Sequence, residues 1–257
     1  MSDISAISSG ANMYGKIASG KAINTAADGA AELSIIEKEE SMSTGLDVGA
    51  NNMESGIDLS NIEDGALGNI GDMLQRMKEL ALQASNDLYT DSDKQQIQYE
   101  IDELKQGISD IASQTNYNTK NLLDGSNGTL QMATDSNGNS TSVSGYDATL
   151  KNLGLEDFDV TKDFDITKID KALEAVTSTR SAIGAKTNAL EYGIRYNNNA
   201  SEQTTSAQSR LEDLDIAKAV SSKKKNEVLN QYKLMMQKKQ QDDNENKSRN
   251  LFAQMNR

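Results

Sequence analysis

Apolar side chains recur at steps of three or four residues in three stretches of the chain. The first stretch runs from Leu59 to Ala84, the second from Ile97 to Ile111, and the third from Ile169 to Ile194. A repeat of about 3.5 residues places such side chains on one narrow stripe of an α-helix. Because one narrow stripe cannot enclose a core, the pattern predicts a mainly α protein whose long helices pack lengthwise against one another.

The repeats also predict which side chains the helices bury. Residues 28–113 and 167–215 are expected to form a long antiparallel helical bundle or coiled coil. Ile62 belongs to the first repeat and is therefore expected to face a seam. The other side chains singled out for burial are Met73, Met77, Leu80, Ile101, Leu104, Leu173, Val176 and Ile183.

Capping residues predict the ends of the first two helices. Asp28 is expected to cap the first, which meets no decisive stop before about Ser85. After a predicted turn over residues 86–91, Asp91 or Ser92 is expected to cap a second helix that ends near Ser113.

The middle of the chain has a different composition, rich in Gly, Ser and Asn. Asp-Gly and Asn-Gly pairs mark turns, and Leu130–Thr134 and Thr141–Val143 alternate in a way that predicts a small β-hairpin. Thr167 or Ser178 is then expected to cap a last long helix that continues toward the C-terminal residues.

Composition narrows the function classes. The chain has no His and no Cys, which excludes zinc sites of His and Cys, iron–sulfur clusters, His-based triads and disulfides. Ser–Lys catalysis stays open, but nothing in the helical repeats predicts a pocket, so no enzyme activity and no cofactor are expected. The charge of −13 disfavours nucleic acid and anionic membranes, and no run is apolar enough for membrane insertion.

The charge is unevenly distributed. Residues 218–257 contain ten Lys/Arg and four Asp/Glu, although the whole chain is strongly acidic. Two interpretations remain open: a solvated helix end, or a basic segment that lies against acidic residues such as Glu37–Glu40. Met1–Gly20 lacks the basic and apolar regions of a secretory signal, so export, if it occurs, is expected to use another route.

Several segments, in order along the chain, resemble motifs of the bacterial flagellins. The family pattern S-G-L-R-I-N…D-D-A-A-G is similar to residues 19–24 with 28–31, and L-Q-R-[MV]-R-E-L-A-V-Q-A is similar to residues 74–84. Further matches are residues 114–118 with 122–123, 180–185 and 209–213. One motif alone would be weak, but several in the same order identify the chain as a member of this family.

The resemblance implies a fold with paired terminal helices and a middle that projects outward. Residues 1–27 would be the N-terminal arm of a filament-core pair and residues 218–257 the C-terminal arm. Residues 28–217 would form a helical rod with a short β segment at 116–166. The implied function is a structural subunit of the bacterial flagellar filament, exported unfolded by the flagellar type III system with an export chaperone. It would form a homo-oligomer or assemble with other flagellin subunits.

Two alternatives to a filament subunit stay open. One is a secreted, poorly polymerising ligand of a receptor such as Toll-like receptor 5, and the other is a hook–filament junction protein. The resemblance implies a receptor-binding patch formed by Gln75, Arg76, Glu79, Leu80, Gln83 and Glu100. The structural explanation of the same segment is that Leu80 belongs to a helix seam while Gln75, Arg76 and Glu79 lie on the solvated flank.

The chain departs from the family at both packing and charged positions. Lys78 replaces a usual Arg, and Asn197 and Thr204 stand where the family usually has Leu. The last helix, uncharged in the family, here carries Lys223, Lys224, Lys225, Lys238, Lys239, Asp242, Asp243 and Glu245. These charges predict weak self-polymerisation and easier incorporation beside a major flagellin. In the monomer, residues 1–25 and 218–257 are expected to be disordered or only partly helical.

Overall fold

The computed structural model describes residues 12–126 and 128–255, with side chains as far as Asn250. The described part of helix α1 covers residues 12–19, and four further helices are α2 (Ala30–Ala84), α3 (Asp91–Gln114), α4 (Thr167–Glu212) and α5 (Ile216–Met255). The strands are β1 (Asn116–Tyr117), β2 (Lys120–Asn121), β3 (Thr129–Ala133) and β4 (Ser140–Ser144). The prediction of a mainly helical protein with a small β segment in the middle is confirmed.

The chain divides into two compact units, which we describe separately. The first contains the described residues of 1–40 and 205–257, and the second contains residues 41–204. The N-terminal segment that is expected to be disordered or only partly helical, residues 1–25, falls partly on residues 1–11, which lie outside the described residues.

In the second unit, α2 and α4 pack antiparallel. Asp64 pairs with Arg180 at 2.8 Å, whereas Lys78, further along α2, pairs with the earlier α4 residue Asp170 at 2.6 Å. Of the side chains predicted to be buried, five are buried: Met77, Leu80, Ile101, Val176 and Ile183. Met73, Leu104 and Leu173 are half-buried and pack against the same core.

The predicted stripe of α2 is wrong at Ile62, which is 42% exposed. Leu67, which the 3.5-residue ladder passes over, is fully buried, and so is Leu74. The core that they enter also contains side chains of α3 and α4, such as Ile101 and Ile169. Because α2 contributes to a core shared with two other helices, its buried face differs from the single narrow stripe of a two-helix seam.

The cap of α3 is also a correction, because Thr90 occupies that position instead of Asp91 or Ser92. The Thr90 hydroxyl accepts the Asp93 backbone N–H at 3.3 Å, and the Asp93 carboxylate accepts the Thr90 N–H at 2.9 Å. This reciprocal pair is a capping box, with Asp in the place usually taken by Glu or Gln.

In the first unit, Asp28 does not act as the predicted cap of α2. Its carboxylate accepts the backbone N–H groups of Asn24 and Thr25, at 3.2 and 3.1 Å, and pairs with Lys16 at 2.7 Å. The Lys16 ammonium and these N–H groups hold the pKa of Asp28 well below its usual range. Asp28 therefore stabilises the loop that precedes the helix.

The predicted last helix is interrupted between Glu212 and Ile216. The Leu214 N–H donates to the Gly20 carbonyl at 2.8 Å, and the Ala22 N–H donates to the Glu212 carbonyl at 2.6 Å. The N-terminal segment thus satisfies backbone groups that a continuous helix would use internally. Farther along the same unit, the Lys223 ammonium lies 3.6 Å from the Tyr14 ring centroid.

The β3–β4 hairpin is confirmed, with Leu130 opposite Val143 in an antiparallel register. The β1–β2 pair was not predicted from the sequence. Its turn places Asn118 and Thr119 at positive φ, a conformation that residues other than glycine rarely adopt. The turn end of the larger hairpin lies directly on α2, where a Cβ on Gly49 would collide with the Thr134 carbonyl. Close approach of the hairpin therefore explains a glycine inside a long helix.

Candidate functional site

Arg76 of α2 is the centre of a charged cluster that joins α2 to α3. Its Nε donates to Glu100 Oε1 at 2.7 Å, and its Nη1 donates to Glu79 Oε2 at 3.1 Å. The hydrogen bond to Glu100, followed by that to Glu79, raises the pKa of the Arg76 guanidinium further above its ordinary value. The Arg76 side chain is nevertheless 49% exposed, so the pairs leave much of its surface open to a partner.

The structure places five of the six predicted receptor-binding residues on the surface. Gln75, Arg76, Glu79 and Gln83 are exposed along α2, and Glu100 is exposed on α3. The sixth, Leu80, is only 2% exposed and belongs to the core.

Two more contacts organise this surface. Gln83 Nε2 donates to the Tyr89 hydroxyl at 2.8 Å, which links the end of α2 to the turn before α3. Lys78 pairs with Asp170 of α4 at 2.6 Å, on the same stretch of α2. The exposed residues between positions 75 and 83 thus form a surface that contacts two neighbouring helices, α3 and α4. We call its Arg76, Glu79 and Glu100 members the Arg76 cluster.

Sequence reasoning missed three exposed apolar residues in the same stretch of the chain. Leu82, Leu88 and Tyr99 are 53%, 87% and 70% exposed on α2, the following turn and α3. Leu88 is an apolar residue within the polar turn that the sequence predicts, and that contrast is the signal that could have identified it. Exposed apolar side chains of this size are enriched in protein-binding surfaces.

A second exposed surface lies on α5. Val228, Leu229, Tyr232, Met235 and Met236 are all between 44% and 69% exposed, and their spacing places them on one helix face. We call these five residues the α5 stripe. Leu234 is 64% exposed as well, but it projects from the opposite side of the helix.

Lysines border the α5 stripe. With 100° per residue, Lys224 and Lys238 lie along one edge of the stripe and Lys233 lies along the other. An apolar face between cations suits a partner that offers apolar side chains surrounded by carboxylates.

Asn197, which the resemblance marked as a departure, lies at a buried junction. It is 4% exposed, and its Nδ2 donates to the carbonyls of Leu46 on α2 and Thr134 beside the hairpin turn, at 3.0 and 2.7 Å. Thr204, the other departure, donates from its hydroxyl to the Ala200 carbonyl within its own helix at 2.8 Å. Asn197 therefore connects three elements, whereas Thr204 bonds locally.

Neither surface has the chemistry of a metal centre. Within residues 12–126 and 128–255, no group of three or more Asp or Glu side chains is placed to hold a metal ion. None of the described helices is long and apolar enough to cross a membrane. What the described residues present instead are exposed surfaces on long helices.

Comparisons with known proteins agree with this arrangement. A model of the bacterial flagellin N-terminal helical region matches residues 5–128, and a model of the C-terminal helical region matches residues 166–246. A flagellin of Halalkalibacterium halodurans is 35% identical over 223 residues, which are 84% of this chain and 82% of that protein.

Solved structures show the same likeness. The crystal structure of Bacillus cereus flagellin superposes with a TM-score of 0.52 at 28% identity, and the match covers 58% of this chain and 89% of that one. A putative flagellar hook-associated protein from Vibrio parahaemolyticus gives a TM-score of 0.58 at 11% identity, with 73% of this chain and 98% of that one covered. The second match shows a shared fold alone.

Proposed function

This chain belongs to the bacterial flagellin family, and from that membership we propose which of its surfaces make the contacts of a filament subunit. Flagellins are structural, non-enzymatic proteins. As a flagellin, the protein is a subunit of the extracellular flagellar filament, which serves motility. There it assembles with other flagellin subunits.

We assign packing between subunits to the α5 stripe. The observation that carries this assignment is that five apolar side chains on one face of α5 are at least 44% exposed. Burial of such side chains contributes roughly 25 cal/mol per Å² of apolar surface, so a neighbouring subunit stabilises the stripe by covering it. In this proposal residues 1–27 and 218–257 are the paired arms of the filament core, and residues 28–217 are the helical rod.

The lysines around the stripe determine which neighbour fits best. In a pure homopolymer every subunit carries the same three lysines, Lys224, Lys233 and Lys238, beside its stripe. Packing of the stripe removes water from these ammonium groups, and desolvation of an ammonium without a carboxylate partner costs several kcal/mol. A major flagellin with carboxylates or uncharged groups at the facing positions avoids that cost. We therefore propose that this subunit polymerises weakly alone and incorporates beside another flagellin.

Electron microscopy with matched variants tests this assignment. Met235→Asp places a carboxylate inside the stripe, whereas Leu234→Asp places the same group on the opposite side of α5. We expect sparse filaments from the pure protein, incorporation into filaments of a second flagellin, and at least tenfold less incorporation for Met235→Asp than for Leu234→Asp. Robust filaments of the pure protein at low salt, or equal incorporation of the two variants, would contradict the proposal.

Export through the flagellar type III system, together with an export chaperone, is part of the same proposal. The absence of Cys supports it, since no disulfide can oppose unfolding of the chain before export. We expect the chaperone to co-purify with free subunits and to be absent from assembled filaments. A chaperone that stays bound to mature filaments would argue against this role.

A second candidate function is recognition of the free subunit by a receptor such as Toll-like receptor 5. The supporting observation is the Arg76 cluster, which combines an exposed guanidinium with Glu79 and Glu100 on a helical support. Interface hot spots are enriched in Arg, and an Arg truncation at such a site commonly costs 2 kcal/mol or more. Leu80 would support this surface from the core instead of contacting the receptor itself.

Receptor binding is tested with two Arg variants. Arg76→Ala is expected to weaken binding to the receptor ectodomain about 30-fold, a change that corresponds to about 2 kcal/mol. Arg195→Ala, at an exposed position of α4, is expected to bind like the parent protein. Circular dichroism checks that both variants keep their helix content. An Arg76 variant that binds and signals as strongly as the parent removes the cluster from the receptor site.

The hook–filament junction alternative receives no comparable support. The sequence relatives are named flagellins or flagellar filament core proteins, and the 11% identity to the hook-associated structure shows only that the fold is shared.

A further inference from the structure

Glu63 is a carboxylic acid buried inside the second unit. It lies on α2 between the core residues Leu59 and Leu67, and it has no exposed surface. Among the described residues, neither of its carboxyl oxygens has a hydrogen-bond partner. A buried carboxylate without partners is far more costly than a neutral carboxylic acid in the same place, so this position favours the protonated form.

The cations near Glu63 are already engaged. Along this part of α4, Arg180 donates to both carboxylate oxygens of Asp64 at 2.8 and 3.1 Å. Lys186, further along α4, donates to the Thr141 hydroxyl of β4 at 2.7 Å. Neither interaction supplies Glu63 with a counter-charge.

The chain segments around Tyr146 and Asp124 supply no counter-charge to Glu63 either. The Tyr146 backbone N–H, which lies close enough to Glu63 to favour its ionised form slightly, donates to the Leu122 carbonyl at 3.0 Å. Asp147 accepts the Thr149 N–H and hydroxyl at 3.0 and 2.6 Å. The carboxylate of Asp124 likewise accepts hydrogen bonds from Asn121 and Ser126.

A cavity lies about one helical turn from the buried acid, where Ser60 of α2 forms part of its lining. This cavity of about 480 Å³ extends between α2, α4 and the residues that follow β4, and it is much larger than the roughly 30 Å³ that one water occupies. Hydroxyl groups face much of it, and Gly145 and Tyr146 form part of its wall. The polar side chains that line it are Ser60, Ser142, Ser144, Ser178, Thr179 and Lys186.

We propose that Glu63 is a pH-operated latch of the second unit: protonated, it lets residues 143–146 close over α2, and ionised, it draws water from the cavity and loosens that segment. The arrangement is independent of the α5 stripe and of the Arg76 cluster. In an extracellular subunit, the pH of the medium then sets how firmly the end of the β3–β4 hairpin is held.

The direction of the pH effect follows from the two protonation equilibria. Burial raises the pKa of Glu63 from 4.5 to about 7, so the closed form binds more protons than the open form between these values. The closed form is favoured at low pH and loses that advantage as the pH rises toward and through about 7. A shift of this size corresponds to a change of about 300-fold in the closed-to-open equilibrium.

Amide exchange measures the latch directly. The Tyr146 and Ala148 N–H groups donate to the carbonyls of Leu122 and Leu123, at 3.0 and 2.8 Å, and report opening of the covering segment. After correction for the intrinsic pH dependence of exchange, we expect their protection factors to fall at least tenfold between pH 5.5 and 8.5. Flat profiles in the full-length protein would overturn the proposal.

Two neutral variants identify the group that is responsible. Glu63→Gln keeps the size of the side chain but cannot ionise, so its protection profile is expected to be flat. Glu54→Gln, at an exposed position of the same helix, is expected to keep the parent profile. A profile that persists unchanged in Glu63→Gln would show that another group is the sensor.

A direct titration covers the case in which Glu63→Gln does not fold. Carboxyl 13C shifts of the parent protein, with the Glu63 resonance assigned, are expected to show a midpoint between pH 6 and 8. A midpoint near the ordinary value of 4.5 would overturn the latch regardless of any variant.

Discussion

At the scale of single residues, Asn197 and Arg76 show two uses of a polar side chain on a helix. The Asn197 amide is buried and gives both of its donors to carbonyls of other elements. Arg76 bonds to two neighbouring carboxylates but remains half exposed. The first therefore contributes to the stability of the fold, and the second is available for binding.

The contribution of Asn197 is testable by truncation. Asn197→Ala leaves the Leu46 and Thr134 carbonyls without this donor in a buried site, which costs about 1–3 kcal/mol. Denaturant unfolding is expected to show a loss of free energy of unfolding in this range. The exposed neighbour Asn198 is the control, and Asn198→Ala is expected to change the free energy by less than about 0.5 kcal/mol. Equal effects of the two substitutions would show that the amide contributes nothing specific.

At the scale of elements, local hydrogen bonds decide where helices begin, and distant contacts decide where they are interrupted. Helix α3 begins at a capping box between Thr90 and Asp93, three residues apart. The interruption between α4 and α5 depends instead on Gly20 and Ala22, about 190 residues away in the chain. The first kind of boundary can be predicted from neighbouring residues, and the second cannot.

The capping box provides a prediction with an internal control. Thr90→Ala removes the hydroxyl that accepts the Asp93 N–H and is expected to lower the free energy of unfolding by about 1 kcal/mol. Ser92→Ala, at one of the two positions, Asp91 or Ser92, that the sequence predicted as the cap, is expected to have an effect below about 0.5 kcal/mol. Thermal unfolding followed by circular dichroism distinguishes the two, and a larger effect at Ser92 would restore the sequence-based assignment.

At the scale of the whole molecule, the two units differ in how much apolar surface they bury. Most of the buried core belongs to residues 41–204, where α2, α3 and α4 share one cluster. In the other unit, α5 is helical to Met255, yet its stripe from Val228 to Met236 is exposed. A helix with few buried contacts opens at a low free energy.

This difference predicts an order of opening in the monomer. Amide exchange is expected to be fast in residues 12–25 and 218–250, and slowest in the seams of α2 and α4 that contain Leu67 and Val176. Incorporation into a filament is expected to slow exchange in α5, because the stripe becomes covered. Uniformly slow exchange in both ends of the isolated monomer would contradict the expectation that these ends open at a low free energy.

The sequence by itself determined the helical architecture and the family. Periodicity is a local property, so the ladders predicted α2, α3 and α4 and five buried seam residues, including Met77 and Val176. Turn residues and alternation likewise predicted the β3–β4 hairpin to within two residues at each strand end. The same helical pattern predicted that Gln75, Arg76 and Glu79 are exposed, as they are in the structure.

Only the tertiary structure decided the features that join distant segments. Ile62 is exposed and Leu67 is buried because α2 enters a core that contains side chains of two other helices, a geometry that one ladder cannot encode. Asn197 and Glu63 lie on regular helices, and their roles depend on a hairpin and a covering segment far from them in the chain. Burial and the choice of hydrogen-bond partner are set by contacts across the fold, and the physical chemistry of a buried polar group depends on these contacts.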